Sequence, residues 1–462
     1  MFSRDTYVQR RARLAEQLDG GLLVFLGNSD SPMNYRDNIY HFRQDSAFLY
    51  YFGLDIPDLA AIVDLDAGRT TLFGNDPDID AIVWTGPLPS VATLAEQVGV
   101  SEARPKNALA EMLADARRAG RKIHLLPQYR GDNKLLLGRL LDVHPDTLKS
   151  LESEAFTRAV IAQRAVKSLE EIAEIENALD ITYEMHTLAM RMSKPGVVEQ
   201  EIVGAMEGIA HAAGRQQSYP IIFSRRGEIL HNHWHHNVLE KGDMIVNDSG
   251  ATSPRHYASD ITRTIPVGGK FTARQAPIYD LVLRAQEAAI AALKPGVPFA
   301  DLHNLSCRIL VDGMKDLGFF KGDTDEILDS GAYAMVFQCG LGHMMGLDVH
   351  DMEGLNEDWV GYGEGYARSP QFGRKYLRLA RPVQSGWVVT VEPGVYLIPA
   401  LIDRWQAESR HAHLINYARF NEYRDFGGVR IEDDVLVTDS GSRVLGKPIP
   451  KQRADVEALA SA

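Results

Sequence analysis

Apolar runs alternate with turn-forming clusters along the whole chain, and their spacing predicts its elements. Near the start, Gly21-Leu22-Leu23-Val24-Phe25-Leu26-Gly27 is a short apolar stretch bounded by glycines, which predicts a buried strand. Ala60 to Leu65 and Thr70 to Phe73 flank Asp66-Ala67-Gly68, a turn-forming group that predicts a hairpin. The charged, helix-favouring stretch over 148–170 predicts a boundary, with a mixed α/β domain over 1–155 and a second domain over 156–462. Ser168-Leu169-Glu170-Glu171 has the form of a capping box. Leu169, Ile172, Ile175 and Leu179 follow at helical spacing until Pro195-Gly196 stops the run. Ile202, Met206 and Ile209 predict a second helix that ends at Gly214. Further helices are expected over 274–293 and 300–317, and strands over 243–248, 256–265, 386–392 and 428–437. The two helix pairs, each beside strands, suggest two similar layers, although no repeat in the sequence establishes it.

Composition narrows the class without changing this outline. A chain of 462 residues exceeds one ordinary core, which agrees with two domains. Its 62 acidic and 49 basic residues give a formal charge of -13, which argues against nucleic acid or an anionic membrane as partner. No run approaches the ~18 apolar residues of a membrane span. The start of the chain carries Arg10, Arg11, Arg13 and Glu16 in place of an apolar signal core, so no secretory signal is expected. The two cysteines, Cys307 and Cys339, cannot form a disulfide framework, and a reducing cytoplasm is the expected compartment.

The chemistry-bearing positions lie in the second half. Met244-Ile245-Val246-Asn247-Asp248-Ser249-Gly250 reads as a strand ending in a carboxylate and a glycine. Asp260 falls inside the β-branched run His256 to Ile265, in the middle of an expected strand, with Thr262 and Thr264 on its face. A carboxylate placed so is costly to bury unless a cation neutralises it. His343 stands in Gly340-Leu341-Gly342-His343-Met344-Met345-Gly346, with His350 seven residues on. Glu392 ends the run Val388 to Val391 at a turn, and Glu432 repeats that form in Gly427 to Asp434. Alone, each acid reads as a solvated or structural group. Together they are an ordered set of two Asp, one His and two Glu at strand ends and glycine-rich bends.

That set, with its flanking residues, resembles the pita-bread metallopeptidases, and among them the Xaa-Pro dipeptidases (prolidases) and Xaa-Pro aminopeptidases (aminopeptidase P). The likeness rests on Asp248-Ser249-Gly250, Ser259-Asp260-Ile261-Thr262-Arg263-Thr264, Gly342 to Asp351, Thr390 to Tyr396 and Gly427 to Asp434. It reaches the first domain through Phe42 to Phe48 and Trp84-Thr85-Gly86. The resemblance implies an α/β (α+β) protein: a creatinase/aminopeptidase-like pita-bread catalytic domain over 156–462 behind an aminopeptidase-P-like domain over 1–155. It implies Asp248, Asp260, His343, Glu392 and Glu432 as ligands of two divalent ions, with Asp260 and Glu432 bridging. Asp248 would hold one ion, and His343 and Glu392 the other. Four carboxylates balance two divalent cations, and an oxygen-rich set with one imidazole favours Mn2+, with Zn2+ or Co2+ as alternatives. Catalytic roles carry over to Glu392 as a proton shuttle and to His231 and His350 as groups that contact substrate.

The implied substrate is a proline-containing di- or oligopeptide. Tyr376 to Arg381 resembles the prolidase segment whose arginine grips a dipeptide carboxylate, so Arg378 and Arg430 would form a fork at the end of the substrate. The plainer reading of Arg378 is a surface arginine on an insert, and aminopeptidase activity on longer peptides stays open. Trp84 either lines the substrate mouth, as in relatives, or packs within the first domain. A homodimer is expected from the resemblance alone. Cys339 stands where the family commonly has a histidine, and the Asp248 to Asp260 spacing is one residue longer than usual, which a β-bulge would absorb. His233, His235 and His236 read as a surface hairpin, and Cys307 as a small buried hydrophobe. A methionine aminopeptidase shares the five ligands but lacks the extra domain. A non-enzymatic pita-bread binding protein or a metal-free creatinase-like hydrolase would have lost ligands that this chain keeps.

Overall fold

Glycines on both sides of Leu22–Leu26 let this fully buried strand sit at the interior of a sheet. It pairs antiparallel with Ala60–Asp64, which turns through Asp66-Ala67-Gly68 into Arg69–Gly74 as expected. Asp64 fixes that turn, its Oδ1 accepting the Ala67 N–H at 3.0 Å. Ile123–Leu125 joins one edge and Glu102–Pro105 the other, both in parallel. The resulting five-stranded sheet packs Leu22, Val24, Ile62 and Phe73 against Leu109 and Leu113 of the helix Ala108–Arg118. In this computed structural model, which describes residues 1–462, the sheet belongs to a unit of Met1–Arg164 with Met352–Asn356. The second unit is Ala165–Asp351 with Glu357–Ala462.

The second unit opens with the predicted capping box: the Glu171 N–H donates to Ser168 Oγ and the Ser168 N–H to Glu171 Oε2, starting the helix Leu169–Met192. Glu199–Ala212 follows, then the antiparallel strands Ile222–Ser224, Met244–Ser249 and Ile261–Pro266. A second helix pair, Ala276–Ala292 and Phe299–Asp316, precedes the strands Val388–Val391, Gly394–Tyr396, Gly428–Arg430 and Asp433–Val437.

The two halves correspond in detail. Lys194-Pro195-Gly196-Val197 joins the first helix pair and Lys294-Pro295-Gly296-Val297 the second. Gly196 and Gly296 take φ of 91° and 84°, a region closed to most side chains. Their N–H groups donate to Leu239 O at 2.8 Å and Val383 O at 2.9 Å, and the Leu239 and Val383 N–H groups return to Val197 O and Val297 O. From these anchors the chain runs nine residues to Asp248 in one half and nine to Glu392 in the other. The sequence reading missed this repeat because only four consecutive residues are identical, and the segments between differ in length.

Three expectations change. The strand expected over 256–265 begins at Ile261, so Asp260 precedes the strand and does not lie in its middle. The ladder from Met244↔Pro266 to Ser249↔Ile261 is unbroken, so no bulge absorbs the longer spacing. The connecting turn takes it up, with His256 at φ 68° and the Ser253 N–H bonded to Tyr257 O. The strand expected over 428–437 is two, because residues 431 and 432 leave the ladder.

Candidate metal centre and substrate cavity

Both glutamates sit in one gap of the second half's ladder. Val391 pairs with Asp433 and Gly394 with Arg430, which leaves Glu392-Pro393 opposite Ile431-Glu432 without regular pairing. Pro393 has no N–H to offer a partner there. The backbone is held instead from outside the ladder, by Glu392 N–H to Leu341 O at 2.8 Å and Glu432 N–H to Thr262 O at 3.1 Å. Arg263, itself buried, donates to Glu432 O at 2.6 Å and to Asp433 Oδ1 at 2.7 Å, and Lys451 reaches Asp433 Oδ2 at 2.6 Å. Burial alone would raise the Asp433 carboxyl, but Arg263 and Lys451 hold it at about 2. Through this gap the two glutamates turn toward the cavity that Asp248 and Asp260 face from the first half.

The cavity, of about 250 Å³, brings together Asp248, Asp260, His343, Glu392, Glu432, His231, His350 and Arg430. One ligand atom each from Asp260, His343 and Glu432 lies within 4.8 Å of the others. The Tyr219 hydroxyl stands 2.5 Å from both Asp248 Oδ1 and Asp260 Oδ1. It has a single proton, so it serves both oxygens only if one carboxyl is protonated or a cation draws the pair together. Thr262 Oγ1 donates to Glu432 Oε2 at 2.6 Å. His343 Nδ1 lies 3.0 Å from the Met344 carbonyl, which can only accept, so that nitrogen carries the hydrogen. The lone pair is then on Nε2, which faces Asp260 Oδ2 at 3.4 Å and Glu392 Oε1 at 3.6 Å.

Electrostatics give the same picture. Burial pushes Asp248 up to about 6 and Glu392 up to about 7, and raises Glu432 well above the carboxylate range. For Asp260 burial acts upward too, but while no cation takes the Nε2 lone pair His343 can carry a second proton there, and the hydrogen bond and charge of that imidazolium outweigh burial and hold Asp260 low. Three buried acids and the partly exposed Glu392, three of the four disfavouring their own ionisation, with one imidazole lone pair among them, form a donor set suited to hard divalent cations.

The other expected residues divide. Arg430 donates to Asp248 Oδ2 at 2.6 Å, to the Tyr396 hydroxyl at 2.9 Å and to Thr262 Oγ1 at 3.0 Å, using three of its five N–H groups. His350 packs its ring 4.0 Å from that of His343. Burial, then the charges of Arg430 and Arg378, lower the pKa of His231. Arg378 lies in an adjoining cavity of about 450 Å³, with Phe372, Tyr376, Ile398 and Leu401, and an ion pair to Glu357 at 3.7 Å. Trp84 belongs to the first unit, on the helix Ile79–Thr85 that buries no side chain, and is 86% exposed. Cys339 lines both cavities, and burial pushes its thiol up to about 12, so it faces them protonated. Cys307 is buried beside His303 Nε2 at 3.4 Å, as a small hydrophobe would be.

Tyr219 escaped the sequence reading; only its place before Pro220 and an apolar run could have drawn attention to it. The histidine segment also differs from a surface hairpin. His235 is buried with Nδ1 on Phe223 O at 3.0 Å, while His233 lines the smaller cavity.

Known proteins are similar to this chain in sequence and in fold over nearly their whole length. The family described as Metallopeptidase family M24 matches residues 173–439, and Aminopeptidase P, N-terminal domain, matches 7–124. The human Xaa-Pro dipeptidase is 31% identical, over 98% of this chain and 92% of its own length. A probable Xaa-Pro aminopeptidase of Podospora anserina is 32% identical, over 92% and 89%. The solved structure of aminopeptidase P from E. coli with the inhibitor Pro-Leu superposes with a TM-score of 0.80 at 29% identity, covering 99% of this chain and 98% of that one.

Proposed function

We propose, from the premise that this chain belongs to metallopeptidase family M24, that it hydrolyses the bond between an amino-terminal residue and a following proline. Asp248, Asp260, His343, Glu392 and Glu432 would hold two divalent ions, Mn2+ foremost, with Asp260 and Glu432 shared between them. Such ions, when bound, polarise the scissile carbonyl and lower the pKa of a water. The observation that carries the reading is the convergence of four carboxyls, three of them buried, and the His343 Nε2 lone pair on one cavity.

The protein's own groups supply the rest. Glu392 would take the water's proton and pass it to the leaving nitrogen, a role supported by its bordering both cavities. His231 and His350 border both as well, where they would meet the carbonyl and the proline. Proline's nitrogen offers no N–H, so its ring is recognised by shape, and the apolar lining of the larger cavity suits it. Arg378, at that end, would pair with the free carboxylate of a dipeptide, while Arg430, the expected second arm of the fork, lines the smaller cavity instead. This favours a Xaa-Pro dipeptidase. The names of several relatives and the solved aminopeptidase P support the second reading, a Xaa-Pro aminopeptidase whose longer substrates run past Arg378. A homodimer is the proposed assembly. The cytoplasm is the proposed compartment, supported by two free thiols.

The test is incubation of Mn2+-loaded protein with a Xaa-Pro dipeptide and a Xaa-Pro-Yaa tripeptide. Release of free proline from the dipeptide is expected. Cleavage of the tripeptide alone would replace the first reading by the second, and cleavage of neither would overturn both.

A further inference from the structure

The two cavities share Leu230, His231, Cys339, His350 and Glu392. Arg378 lines only the larger, and Asp248, Asp260, His343 and Glu432 line only the smaller. This gives a bound dipeptide a direction. With its carboxylate at Arg378 and its scissile carbonyl beside Glu392 and His350, its first residue extends into the smaller cavity. The apolar wall there is Pro220, Ile222 and Val349. Tyr219 and Arg430 are engaged with Asp248, and His231, Cys339 and His350 are shared with the larger cavity, so His233 is the remaining polar side chain that lines the smaller cavity alone.

His233 is held in place from both sides. Asn232 is buried and its Nδ2 donates to Ser224 Oγ at 3.0 Å. His235 is buried against Phe223 O at 3.0 Å. Both anchors fall on the strand Ile222–Ser224, whose first residue is part of the same wall. Every carboxyl lining the smaller cavity belongs to the proposed ligand set, while His231, His233, His350 and Arg430 are its other ionisable side chains apart from Tyr219 and Cys339. A lysine or arginine side chain entering it meets no available counter-charge, whereas an aspartate or glutamate meets an imidazole N–H.

We propose that His233 selects the residue before proline, favouring an acidic side chain and rejecting a cationic one; this rests on the Xaa-Pro hydrolysis proposed above. His233 touches the substrate side chain and takes no part in bond cleavage.

The experiment compares kcat/KM for Glu-Pro, Leu-Pro and Lys-Pro in the wild-type enzyme, His233→Ala, His233→Gln and His233→Glu, each loaded with Mn2+. The wild type should cleave Glu-Pro faster than Lys-Pro. His233→Ala should lower kcat/KM for Glu-Pro by about fivefold and hold Leu-Pro within about twofold, the scale of a solvent-exposed charged contact. His233→Gln, which keeps an N–H donor, should restore most of the Glu-Pro rate, and His233→Glu should reverse the order of Glu-Pro and Lys-Pro. An unchanged Glu-Pro to Lys-Pro ratio across the four proteins, with Leu-Pro still cleaved, would overturn the role of His233 alone. Failure of the wild type on all three dipeptides would instead overturn the dipeptidase reading and this proposal with it.

Discussion

The two halves of the larger unit reach one cavity by different means. In the first, Asp248 projects from an unbroken antiparallel ladder and Asp260 from the residue before it resumes. In the second, Glu392 and Glu432 occupy a break, with Pro393 beside one and Arg263 clamping the backbone at the other. A short carboxylate suits a backbone that passes close to the cavity, and a longer one suits a backbone displaced from its ladder. The imidazole has no counterpart. His343 bonds Thr390 across the sheet, whereas Ser224 takes the matching place opposite Val246. A repeated scaffold thus delivers paired acids twice and a nitrogen ligand once, which makes the proposed metal pair inequivalent.

The sharpest way to break this comparison is to neutralise, in each half, the acid proposed as shared between the two ions. Asp260→Asn and Glu432→Gln should each lower kcat/KM on a Xaa-Pro dipeptide by about a thousandfold or more, if both groups hold a Lewis-acid pair worth several kcal/mol. One variant staying within tenfold of wild type while the other is inactive would end the equivalence. Arg378 has no counterpart in the first half, so its removal isolates what the second adds. Arg378→Ala should raise KM for the dipeptide by about 10- to 100-fold, the scale of a charged hydrogen bond, and change a tripeptide little. Equal effects on both substrates would remove the dipeptide carboxylate from its role. Tyr219 is peculiar to the first half, and Tyr219→Phe should weaken metal affinity by about 10- to 100-fold, measured by titration with a competing chelator.

The smallest effect concerns pH. In the metal-free protein Asp248 and Glu392 titrate at about 6 and about 7, above the carboxyl values of an unfolded chain near about 4. The folded form then binds more protons than the unfolded form between those values. Their contribution to stability is complete below about 4 and declines as pH rises toward about 7. The melting temperature of the metal-free protein should accordingly fall by several degrees across that window, and Mn2+ should abolish the fall. A flat metal-free profile would show that these acids are not raised as a group.

Much of this was legible in the chain. Capping at Ser168, the hairpin at Asp66-Ala67-Gly68 and the helix stop at Pro195-Gly196 are local, and local signals survive folding. The order Asp, Asp, His, Glu, Glu was equally readable, since each acid lies beside an apolar run or a glycine-rich bend. What escaped depends on contacts between distant segments. Alternation over 428–437 cannot reveal that Glu432 leaves its ladder, because Thr262 and Arg263, far away in sequence, hold it out. Asp260 looked central to a strand because β-branched neighbours extend the pattern past the turn at His256. Nothing local distinguishes the Tyr219 hydroxyl from any other, or tells buried His235 from exposed His233.

Arg263 has a mechanical consequence. Its guanidinium leaves a strand of one half and binds the chain of the other at the carbonyl of Glu432 and at the carboxylate of the next residue, Asp433, with Lys451 bracing the far oxygen of Asp433. A strut of this kind resists sliding along the seam where the halves meet. Peptide entry and proline departure are then left to the side chains and loops around the opening, while the floor on which the chemistry takes place stays fixed through each turnover.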